Sequence, residues 1–493
     1  MNKLISFVKQ HKVSVTFFAD LGLVALATYM AFLIRFDGVI PRARYDGFLW
    51  FMASALIITP IVFVFFRLYR FPYSFISLTD LPSIGKGVLF SVFILGTGLF
   101  LFRDAPPFEE FPRSIILIYT MLLFLFTVTL RFSKRIYWQI MRGNPEVFRV
   151  GKEPMFFPRT SKFLNGAKLG TVLVTGGAGY IGSMLVSELL KNGYQVKVYD
   201  KMMFGVESLA SFKSSPNLQI IKGDILDTAS LERNMIDVDT VVHTAAIVGE
   251  AACAANQDLA IRTNYLGAVN VAKISKAYGI KRFIYFSTCS TYGKSDDENE
   301  VDELSPLRPM DFYGETKIYA ERDIIRLADE KFSPIILRLS TVYGLSHRMR
   351  FDLVVNIFSK KAHHEGKITV FGGNQWRPLI HVSDVVKAVL TILEASLSKV
   401  GGRVFNVGGN TENYLISDLI NLVKEVFPEV QVETLDAMTD QRSYRVKFGK
   451  IEQELGFRPE HTVLDGIREI KNALDKKTFV NVEDRRYYNH LIQ

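Results

Sequence analysis

Four long apolar stretches constrain the fold of this 493-residue chain more than any other feature. They run over Val13–Ile34, Phe48–Phe66, Ile84–Phe102 and Ser114–Leu130. Each is close to the ~20 residues that a helix needs to cross the hydrocarbon core of a bilayer. A cleaved signal peptide does not fit, because the first stretch is too long and three more follow it. The sequence therefore predicts a four-helix transmembrane region over residues 1–142, embedded in a lipid bilayer.

Basic residues flank these stretches unevenly and predict their orientation. With four spans, the N-terminus, the loop after the second stretch and the segment after the fourth stretch lie on one side of the membrane. These segments carry Lys3, Lys9, Lys12, Arg67, Arg70, Lys86, Arg131, Lys134, Arg135 and Arg142. The opposite flanks carry fewer, and Asp104, Glu109 and Glu110 dilute them. Because cytoplasmic loops are enriched in Lys and Arg, we expect a multi-pass protein of the inner (cytoplasmic) membrane with the rest of the chain in the cytoplasm.

Charge also bears on partners within and outside the membrane. The net charge of +9 comes without a long basic run or a zinc-ligand spacing, so we expect no nucleic acid partner. Inside the first stretch, Asp20 would be costly against lipid. We expect it to face another helix or the interface, in a structural role.

From Thr171 onward, short apolar runs alternate with amphipathic segments of helical length. This alternation is typical of βαβ units and a parallel sheet. Between the two regions, residues 143–169 contain Pro145, Pro154 and Pro158 and are predicted to be a linker.

The parallel-sheet region opens with TVLVTGGAGYIG, a strand over 171–175 followed by a turn containing Gly176, Gly179 and Gly182. Glycine permits the tight turn, the approach of backbone N–H groups to a pyrophosphate, and close packing of helix on strand. Tyr180 and Ile181 lie inside this motif, where the helix N-terminus faces the phosphates. The motif predicts a Rossmann-type dinucleotide site.

An acidic residue at the expected distance from the glycine turn indicates which dinucleotide is preferred. Asp200 ends the second strand, QVKVYD, where a carboxylate accepts hydrogen bonds from ribose hydroxyls and repels a 2′-phosphate. It favours NAD over NADP, although Lys201 beside it weakens the discrimination. Asp224 and Ile225 follow a third strand, where adenine would lie, and Ala245 follows a fourth, where small side chains let the cofactor approach.

Catalytic chemistry is indicated by Thr288, at the end of an apolar strand, and by Tyr313 and Lys317 in a Y-x-x-x-K spacing. Positions i and i+4 share one face of a helix, so the ammonium would lie beside the phenol. A nearby cation lowers the pKa of a phenol, which suits Tyr313 to act as acid and base while NAD takes a hydride. Lys317 would also contact the cofactor, and Thr288 and Tyr313 the substrate hydroxyl.

Residues 170–475 resemble the extended short-chain dehydrogenase/reductases, specifically the NAD-dependent epimerase/dehydratase group that acts on nucleotide-sugars. The motifs that carry the resemblance are TGGAGYIG, HTAA, NYLGAVN, STCSTYG, YGETK and WRPLIHVSD. The first 140 residues, with AFLIRFDG and FRLYRFPY, resemble the four-span region of bacterial membrane-bound polysaccharide-biosynthesis epimerase/dehydratases. Together they predict an α-helical membrane region plus an α/β Rossmann-type parallel-sheet domain with a smaller C-terminal substrate-capping region, and a tail over 476–493.

The resemblance also implies roles for single residues. It implies that Asn264 supports the active-site helix and that Arg377 contacts a substrate phosphate, which a guanidinium can bind in a bidentate manner. Arg348 and Arg350 are further candidates for the substrate. The family's habit implies a homodimer. The histidines are scattered without ligand spacing, so we expect no metal.

Two departures from the group's pattern narrow the reaction. The 4,6-dehydratases of the group carry Asp-Glu after the catalytic Thr, whereas this chain has Cys289 and Ser290, which disfavours dehydration. The membrane-bound dehydratases replace the catalytic Tyr, and this chain keeps Tyr313. The leading interpretation is a nucleotide-sugar epimerase acting at carbon 4 for surface polysaccharide or glycan biosynthesis. A keto-sugar reductase or dehydrogenase is the alternative, a dehydratase is less favoured, and a non-catalytic membrane scaffold is disfavoured by the intact catalytic set.

Overall fold

The computed structural model describes residues 12–66, 68, 81–109, 111–141, 170–295, 300–435, 440 and 442–491. These residues form two compact units, which fall within Met1–Val150 and Gly151–Gln493. The predicted linker over 143–169 lies outside the described residues, as do the predicted flanking cations Lys3, Lys9, Arg67, Arg70 and Arg142.

The first unit consists of four long helices, as predicted. They are α1 (Lys12–Arg35), α2 (Tyr45–Phe65), α3 (Leu81–Leu101) and α4 (Ser114–Met141). By length and composition, the segments long and apolar enough to cross a membrane are Phe17–Arg35, Arg42–Phe65, Leu81–Leu101 and Ser114–Arg131. These bounds agree with the predicted stretches to within a few residues, since apolar length is a local property of the sequence.

Inside this bundle, one pair of opposite charges lies among apolar side chains. Asp20 on α1 accepts two hydrogen bonds from the guanidinium of Arg131 on α4, at 2.9 and 2.7 Å. Both side chains are almost fully buried, and the guanidinium lies 5.5 Å from the centroid of the Phe63 ring. The expectation that Asp20 faces another helix is confirmed. Arg131, predicted as a flanking charge, is instead the partner of Asp20.

The second unit is built on a parallel sheet of seven strands in the order β10-β6-β5-β4-β1-β2-β3. Its strands are β1 (Thr171–Thr175), β2 (Gln195–Asp200), β3 (Leu218–Lys222), β4 (Thr240–His243), β5 (Arg282–Thr288), β6 (Ser333–Leu339) and β10 (Val404–Val407). Every pairing in it is parallel, for example Val174 with Val198 and Phe286 with Leu337. The carboxyl ends of β1, β2, β4 and β5 therefore meet along one edge, where open sheets of this kind bind ligands.

Helices cover both faces of this sheet. They are α5 (Tyr180–Lys191), α6 (Thr228–Asn234), α7 (Glu250–Ala255), α8 (Gln257–Ile261), α9 (Ala268–Ala277), α10 (Phe312–Ile325), α12 (Val382–Glu394) and α13 (Leu397–Val400). Two apolar cores result, one containing Val174 and Leu185 and the other Leu173 and Tyr285. Consecutive residues of β1 enter opposite cores, because side chains alternate across a strand.

A smaller C-terminal region adds the remaining elements. They are β7 (Thr341–Tyr343), α11 (Val354–Glu365), β8 (Lys367–Phe371), β9 (Trp376–His381), β11 (Asn413–Leu415), α14 (Ile416–Val426), β12 (Gln431–Leu435), α15 (Gly449–Leu455) and α16 (Val463–Asp475). Strands β11, β9 and β7 form one small sheet, and β12 and β8 another. The predicted fold class is confirmed, with a sheet domain and a smaller region beside its ligand-binding edge.

The chain beyond α16 packs on the same unit. The backbone N–H of Phe351 donates to the carbonyl of Tyr487 at 3.0 Å, and Tyr488 is buried. The segment predicted as a tail over 476–493 thus packs, as far as residue 491, on the second unit.

Candidate active site

The glycine turn lies between β1 and α5. Gly176 has φ +76°, and a Cβ there would lie 2.6 Å from the backbone nitrogen of Ala245. A Cβ on Gly182 would lie 2.1 Å from the carbonyl oxygen of Gly176. Such a turn accepts only glycine at these positions, and it leaves the first turn of α5, with Tyr180 and Ile181, against a cavity. A dinucleotide pyrophosphate fits this cradle, since its backbone N–H groups and helix N-terminus favour anions.

Asp200 closes the cradle at the end of β2. Its carboxylate accepts hydrogen bonds from the backbone N–H of Ala178 at 3.0 Å and of Met202 at 2.7 Å. Burial raises the pKa of Asp200, and these two N–H donors and the charge of Arg348 oppose that rise. The carboxylate is therefore tied to the glycine turn and lines the cavity, as a ribose ligand would.

The predicted adenine-side residues also line the cavity. Lys201 forms an ion pair with Asp224, with Nζ 3.0 Å from the carboxylate oxygen. Ile225 is buried, and a Cβ on Gly267 would meet its side chain at 2.7 Å. Ala245 lies over Gly176. The structure thus brings together the residues predicted for the cofactor, and it pairs the Lys201 charge with Asp224.

The catalytic candidates come from two elements and meet at the same cavity, which has a volume of about 960 Å³. Tyr313 and Lys317 are on α10, and Thr288 is the last residue of β5. The Lys317 ammonium donates to the carbonyl of Phe286 at 2.7 Å and lies 6.0 Å from the centroid of the Tyr313 ring. One helix face therefore presents phenol and ammonium to one cavity, as their spacing predicts.

Burial dominates the electrostatics of this pair. Desolvation lowers the pKa of Lys317 to about 7 and raises the pKa of Tyr313. The sequence led us to expect the reverse for Tyr313, a pKa lowered by the lysine. The difference arises because both groups are desolvated and the ammonium is held by a backbone carbonyl.

Thr288 and Asn264 are fixed by short hydrogen bonds. The Thr288 hydroxyl donates to Ser290 Oγ and accepts the Ser290 backbone N–H, both at 3.1 Å. Asn264 lies in a π-helical turn, Arg262–Gly267, and its amide donates to the hydroxyl of Thr316 on α10 at 3.2 Å. Thr316 precedes Lys317, so Asn264 contacts the active-site helix, in line with the role implied for it.

The positions that follow Thr288 carry no carboxylate. The Cys289 thiol is buried and donates to the carbonyl of Arg338 at 3.2 Å, and burial raises its pKa. Ser290 lines the cavity. Neither a buried neutral thiol nor a serine hydroxyl exchanges protons readily at neutral pH.

The three predicted substrate arginines lie in different surroundings, and Arg350 forms an ion pair with Asp352 at 2.8 Å. Arg377, on β9, forms an ion pair with Asp440 at 2.8 Å and lies 5.3 Å from the Tyr444 ring centroid. The guanidinium of Arg348 lies 3.7 Å from the centroid of the Phe204 ring, in the loop after β2. All three line the cavity.

Three further cavity residues were missed by the sequence analysis. Arg442 pairs with Asp440 at 2.6 Å and with Asp311, the residue that caps α10. Glu250 accepts the backbone N–H of Tyr313 at 3.2 Å, and Asn489 accepts a hydrogen bond from Arg348. No local motif marks them, since each acts across a large sequence separation.

The fold and this cavity define a dinucleotide-dependent enzyme of the short-chain dehydrogenase/reductase type, and comparison with known proteins agrees. Residues 172–408 match the NAD dependent epimerase/dehydratase family. A putative UDP-glucose 4-epimerase of Methanocaldococcus jannaschii is 29% identical over 307 residues, 61% of this chain and 97% of the relative. A dTDP-D-glucose 4,6-dehydratase of Homo sapiens is 30% identical over 321 residues, 62% of this chain and 90% of the relative.

A solved structure is similar across the same region. The UDP-glucuronic acid 4-epimerase of Bacillus cereus, in complex with UDP-glucuronic acid and NAD, has a TM-score of 0.57 and 27% identity, covering 62% of this chain and 99% of that chain. The chain belongs to the NAD-dependent epimerase/dehydratase family of nucleotide-sugar enzymes. It is an enzyme of that family, whose cofactor is NAD.

Proposed function

We propose that this protein is a membrane-anchored, NAD-dependent nucleotide-sugar 4-epimerase that serves surface polysaccharide or glycan biosynthesis. One observation carries the proposal. The cavity joins the glycine turn and Asp200 to Thr288, Tyr313 and Lys317, while the positions after Thr288 are Cys289 and Ser290. The cofactor residues together with Thr288, Tyr313 and Lys317 suit the oxidation and reduction of a sugar hydroxyl. Elimination of water would need acidic side chains, which Cys289 and Ser290 do not provide.

In this proposal the phenol oxygen of Tyr313 takes the proton of the sugar hydroxyl and later returns it. When bound, NAD supplies the acceptor for the hydride on the same carbon and gives it back, so that no net redox change occurs. Thr288 donates a hydrogen bond to the reacting oxygen, and the Lys317 ammonium stabilises the phenolate of Tyr313. Between the two hydride transfers the keto-sugar rotates and presents its opposite face, for which a cavity of about 960 Å³ offers room.

Two arginines suit the diphosphate of such a substrate. Arg377 and Arg442 share the carboxylate of Asp440 and line one part of the cavity. A guanidinium binds phosphate with paired, charge-assisted hydrogen bonds. We infer that the diphosphate takes the place of Asp440 as their partner.

The relatives include dehydratases as well as epimerases, so the choice between them rests on Cys289 and Ser290. Burial keeps the Cys289 thiol neutral, and its hydrogen bond to the Arg338 carbonyl directs it into the protein. It cannot serve as the acid of an elimination.

We assign residues 1–142 to the anchor, 143–169 to a linker and the rest to the catalytic unit in the cytoplasm. The support is four apolar helices of spanning length, together with the excess of Lys and Arg on the side of the membrane that contains the N-terminus and the segment after the fourth helix. This arrangement would hold the enzyme at the membrane surface, where lipid-linked glycans are assembled.

The test is to incubate the purified full chain, in detergent, with UDP- and dTDP-linked sugars and to identify products by NMR. We expect a 4-epimer with no net change in absorbance at 340 nm, where NADH absorbs. Tyr313→Phe should lower turnover by about a thousandfold, since a positioned acid/base contributes 10²–10⁴. Tyr319→Phe, on the same helix but outside the cavity lining, is the matched control and should retain turnover.

Each other outcome supports a different reaction. Net consumption of NADH or NADPH would make the protein a reductase, and a 4-keto-6-deoxy product would make it a dehydratase. Full cellular function of Tyr313→Phe would support the scaffold alternative. Any of these results would overturn the epimerase.

A further inference from the structure

The end of the chain, residues 482–491, borders the proposed active site, and we call it the C-terminal clasp. Four of its residues line the same cavity as Gly176, Asp200 and Tyr313; they are Glu483, Tyr488, Asn489 and His490. Tyr488 is buried and its hydroxyl donates to the carbonyl of Val482 at 2.9 Å. Arg486 reaches Glu207, in the segment after β2, at 3.2 Å.

Asn489 connects the clasp to two distant loops. Its side-chain oxygen accepts a hydrogen bond from Arg348 at 2.8 Å, and its amide group donates to the carbonyl of Val248 at 3.3 Å. Its backbone N–H donates to the carboxylate of Asp352 at 2.9 Å. One asparagine therefore joins the loop after β4 to the loop that carries Arg348.

Arg348 is a buried cation with unused hydrogen-bonding capacity. The residue is 6% exposed, and its Nε has no hydrogen-bond partner within the part of the chain that the structure describes. Its guanidinium stacks 3.7 Å above the Phe204 ring, which fixes the plane of the group. Burial and the nearby Arg350 lower the pKa of Arg348 to about 9, so an anionic ligand beside it would be strongly favoured.

The loop that carries Arg348 is fastened to the first turn of α5. The Ser346 hydroxyl donates to the carbonyl of Tyr180 at 2.6 Å, and the Tyr180 hydroxyl donates to the carbonyl of Gly344 at 2.7 Å. The N-terminus of this helix, behind the glycine turn, is where a dinucleotide pyrophosphate binds. Arg348 thus approaches the dinucleotide side of the cavity, between the glycine-turn helix and Phe204.

We propose that Arg348 binds the pyrophosphate of NAD and that Asn489 is a positioning residue that aims Arg348 at it. The C-terminal clasp is then part of the cofactor site, and its task is to retain NAD through successive turnovers. This assignment rests on the proposed function, because a 4-epimerase reuses its NAD. It also replaces the substrate role that the sequence suggested for Arg348.

A diphosphate is also present in the nucleotide-sugar, so the experiment must separate the two sources. Full-length protein in detergent is stripped of nucleotide, and its affinities for ADP-ribose and for UDP are measured by calorimetry. The NAD that co-purifies with each variant is determined separately after denaturation. The variants are Arg348→Ala, Arg348→Lys, Asn489→Ala and the double variant of Arg348→Ala with Asn489→Ala.

We expect Arg348→Ala to weaken ADP-ribose binding by about 10–100-fold, the range for a charged hydrogen bond. Asn489→Ala should weaken it by about fivefold and the double variant no more than Arg348→Ala, because Asn489 acts through Arg348. Arg348→Lys should lose less than Arg348→Ala, since it keeps the charge. Affinity for UDP should stay within about twofold, and co-purified NAD should fall in the same order.

Asn481→Ala is the control, because Asn481 precedes the clasp, its side-chain oxygen accepts the local N–H of Glu483 at 2.9 Å, and it does not line the cavity. Loss of UDP affinity instead of ADP-ribose affinity would make Arg348 a substrate ligand and overturn the inference. So would additive losses in the double variant, or an equal loss in Asn481→Ala. If Asn489→Ala does not fold, the comparison of Arg348→Lys with Arg348→Ala still decides the ligand. Failure of the unaltered protein to bind any NAD would overturn the proposed function itself.

Discussion

The four-helix unit and the catalytic unit distribute their apolar side chains in opposite ways. In the four-helix bundle, large apolar side chains such as Phe65, Met121 and Leu117 are exposed on the outside, while Asp20 and Arg131 are buried inside. In the catalytic unit, apolar side chains fill the two faces of the sheet, and the charged residues line a cavity or the surface. This difference is what we expect if lipid surrounds the first unit, as proposed above, and water surrounds the second.

Both units nevertheless contain a buried arginine–carboxylate pair. Asp20 and Arg131 connect α1 to α4, and Glu321 and Arg338 connect the active-site helix α10 to β6. In the catalytic unit, Glu321 also accepts a hydrogen bond from Ser287, and Arg338 donates to the Tyr292 hydroxyl at 2.9 Å, so this pair belongs to a buried polar network.

The largest loss of stability should follow from breaking the buried pair of Asp20 and Arg131. Asp20→Asn leaves the Arg131 charge without its carboxylate, and we expect the unit to lose about 3–5 kcal/mol of stability. Thermal unfolding in detergent measures it, with the exposed Asp46→Asn as the matched control. Replacing both partners by Asp20→Leu and Arg131→Met should restore most of the loss. An unchanged transition in Asp20→Asn would show that the pair is solvated.

A glycine-to-alanine substitution should lower NAD affinity in the catalytic unit and leave it unchanged in the four-helix unit. Gly182→Ala places a methyl group 2.1 Å from the Gly176 carbonyl, and NAD affinity should fall on the order of a hundredfold, about 3 kcal/mol. Gly22→Ala in α1 meets no atom within 4 Å and should leave NAD affinity and folding intact. Fluorescence titration with NAD measures the first effect. Equal affinity in the two variants would contradict the packing described for the glycine turn.

Between pH 6.5 and 5, protonation of the buried His243 on unfolding should lower the stability of the catalytic unit. Burial, and the charge of Lys317, lower its pKa from 6.5 to about 3, so the native state holds it neutral. Its stabilisation is present above pH 6.5 and is lost as the pH falls toward 3, by about 2 kcal/mol between pH 6.5 and 5. Lys317, whose pKa is lowered to about 7, also takes up its proton near pH 7 and adds a smaller loss of the same sign, which His243→Asn leaves in place.

The measurement is the unfolding temperature of the full chain at pH 7 and pH 5, compared with His243→Asn. We expect the variant to be less stable at pH 7 and to lose less between the two pH values. An identical pH dependence in both proteins would show that His243 does not titrate on unfolding.

The smallest effect concerns a surface pair of the catalytic unit. Lys201 and Asp224 are 50% and 34% exposed, so Lys201→Ala should change stability by less than about 1 kcal/mol. The same variant should bind NADP more weakly, since Lys201 is the cation nearest to Asp200 in sequence. Competition of NADP against bound NAD measures this change. A loss of stability as large as that of Asp20→Asn would remove the distinction between exposed and buried pairs.

Local patterns of the sequence predicted much of this structure. The strand over 171–175 and the strand QVKVYD have the predicted bounds, and Tyr313 and Lys317 share one helix. These features depend on neighbouring residues, because hydrophobic periodicity and glycine spacing are local properties.

Contacts between distant parts of the chain could not be predicted in this way. Arg131 is 111 residues from Asp20, Arg442 is 131 residues from Asp311, and Asn489 is 141 residues from Arg348. A single sequence contains no signal for which charged residue will meet which. For the same reason, the tail gave no indication that it would line the cavity.

By itself, then, the sequence determined two units, four apolar helices, a glycine turn between strand and helix, and the placement of Tyr313 and Lys317 on one helix. Each follows from apolar length, glycine spacing or the spacing of side chains on one helix. Only the tertiary structure decided that Arg131 neutralises Asp20, that burial rather than Lys317 controls the Tyr313 pKa, and that Asn489 holds Arg348. The physical reason is that desolvation and charge pairing depend on which distant groups share a buried space, and that space exists only once the chain has folded.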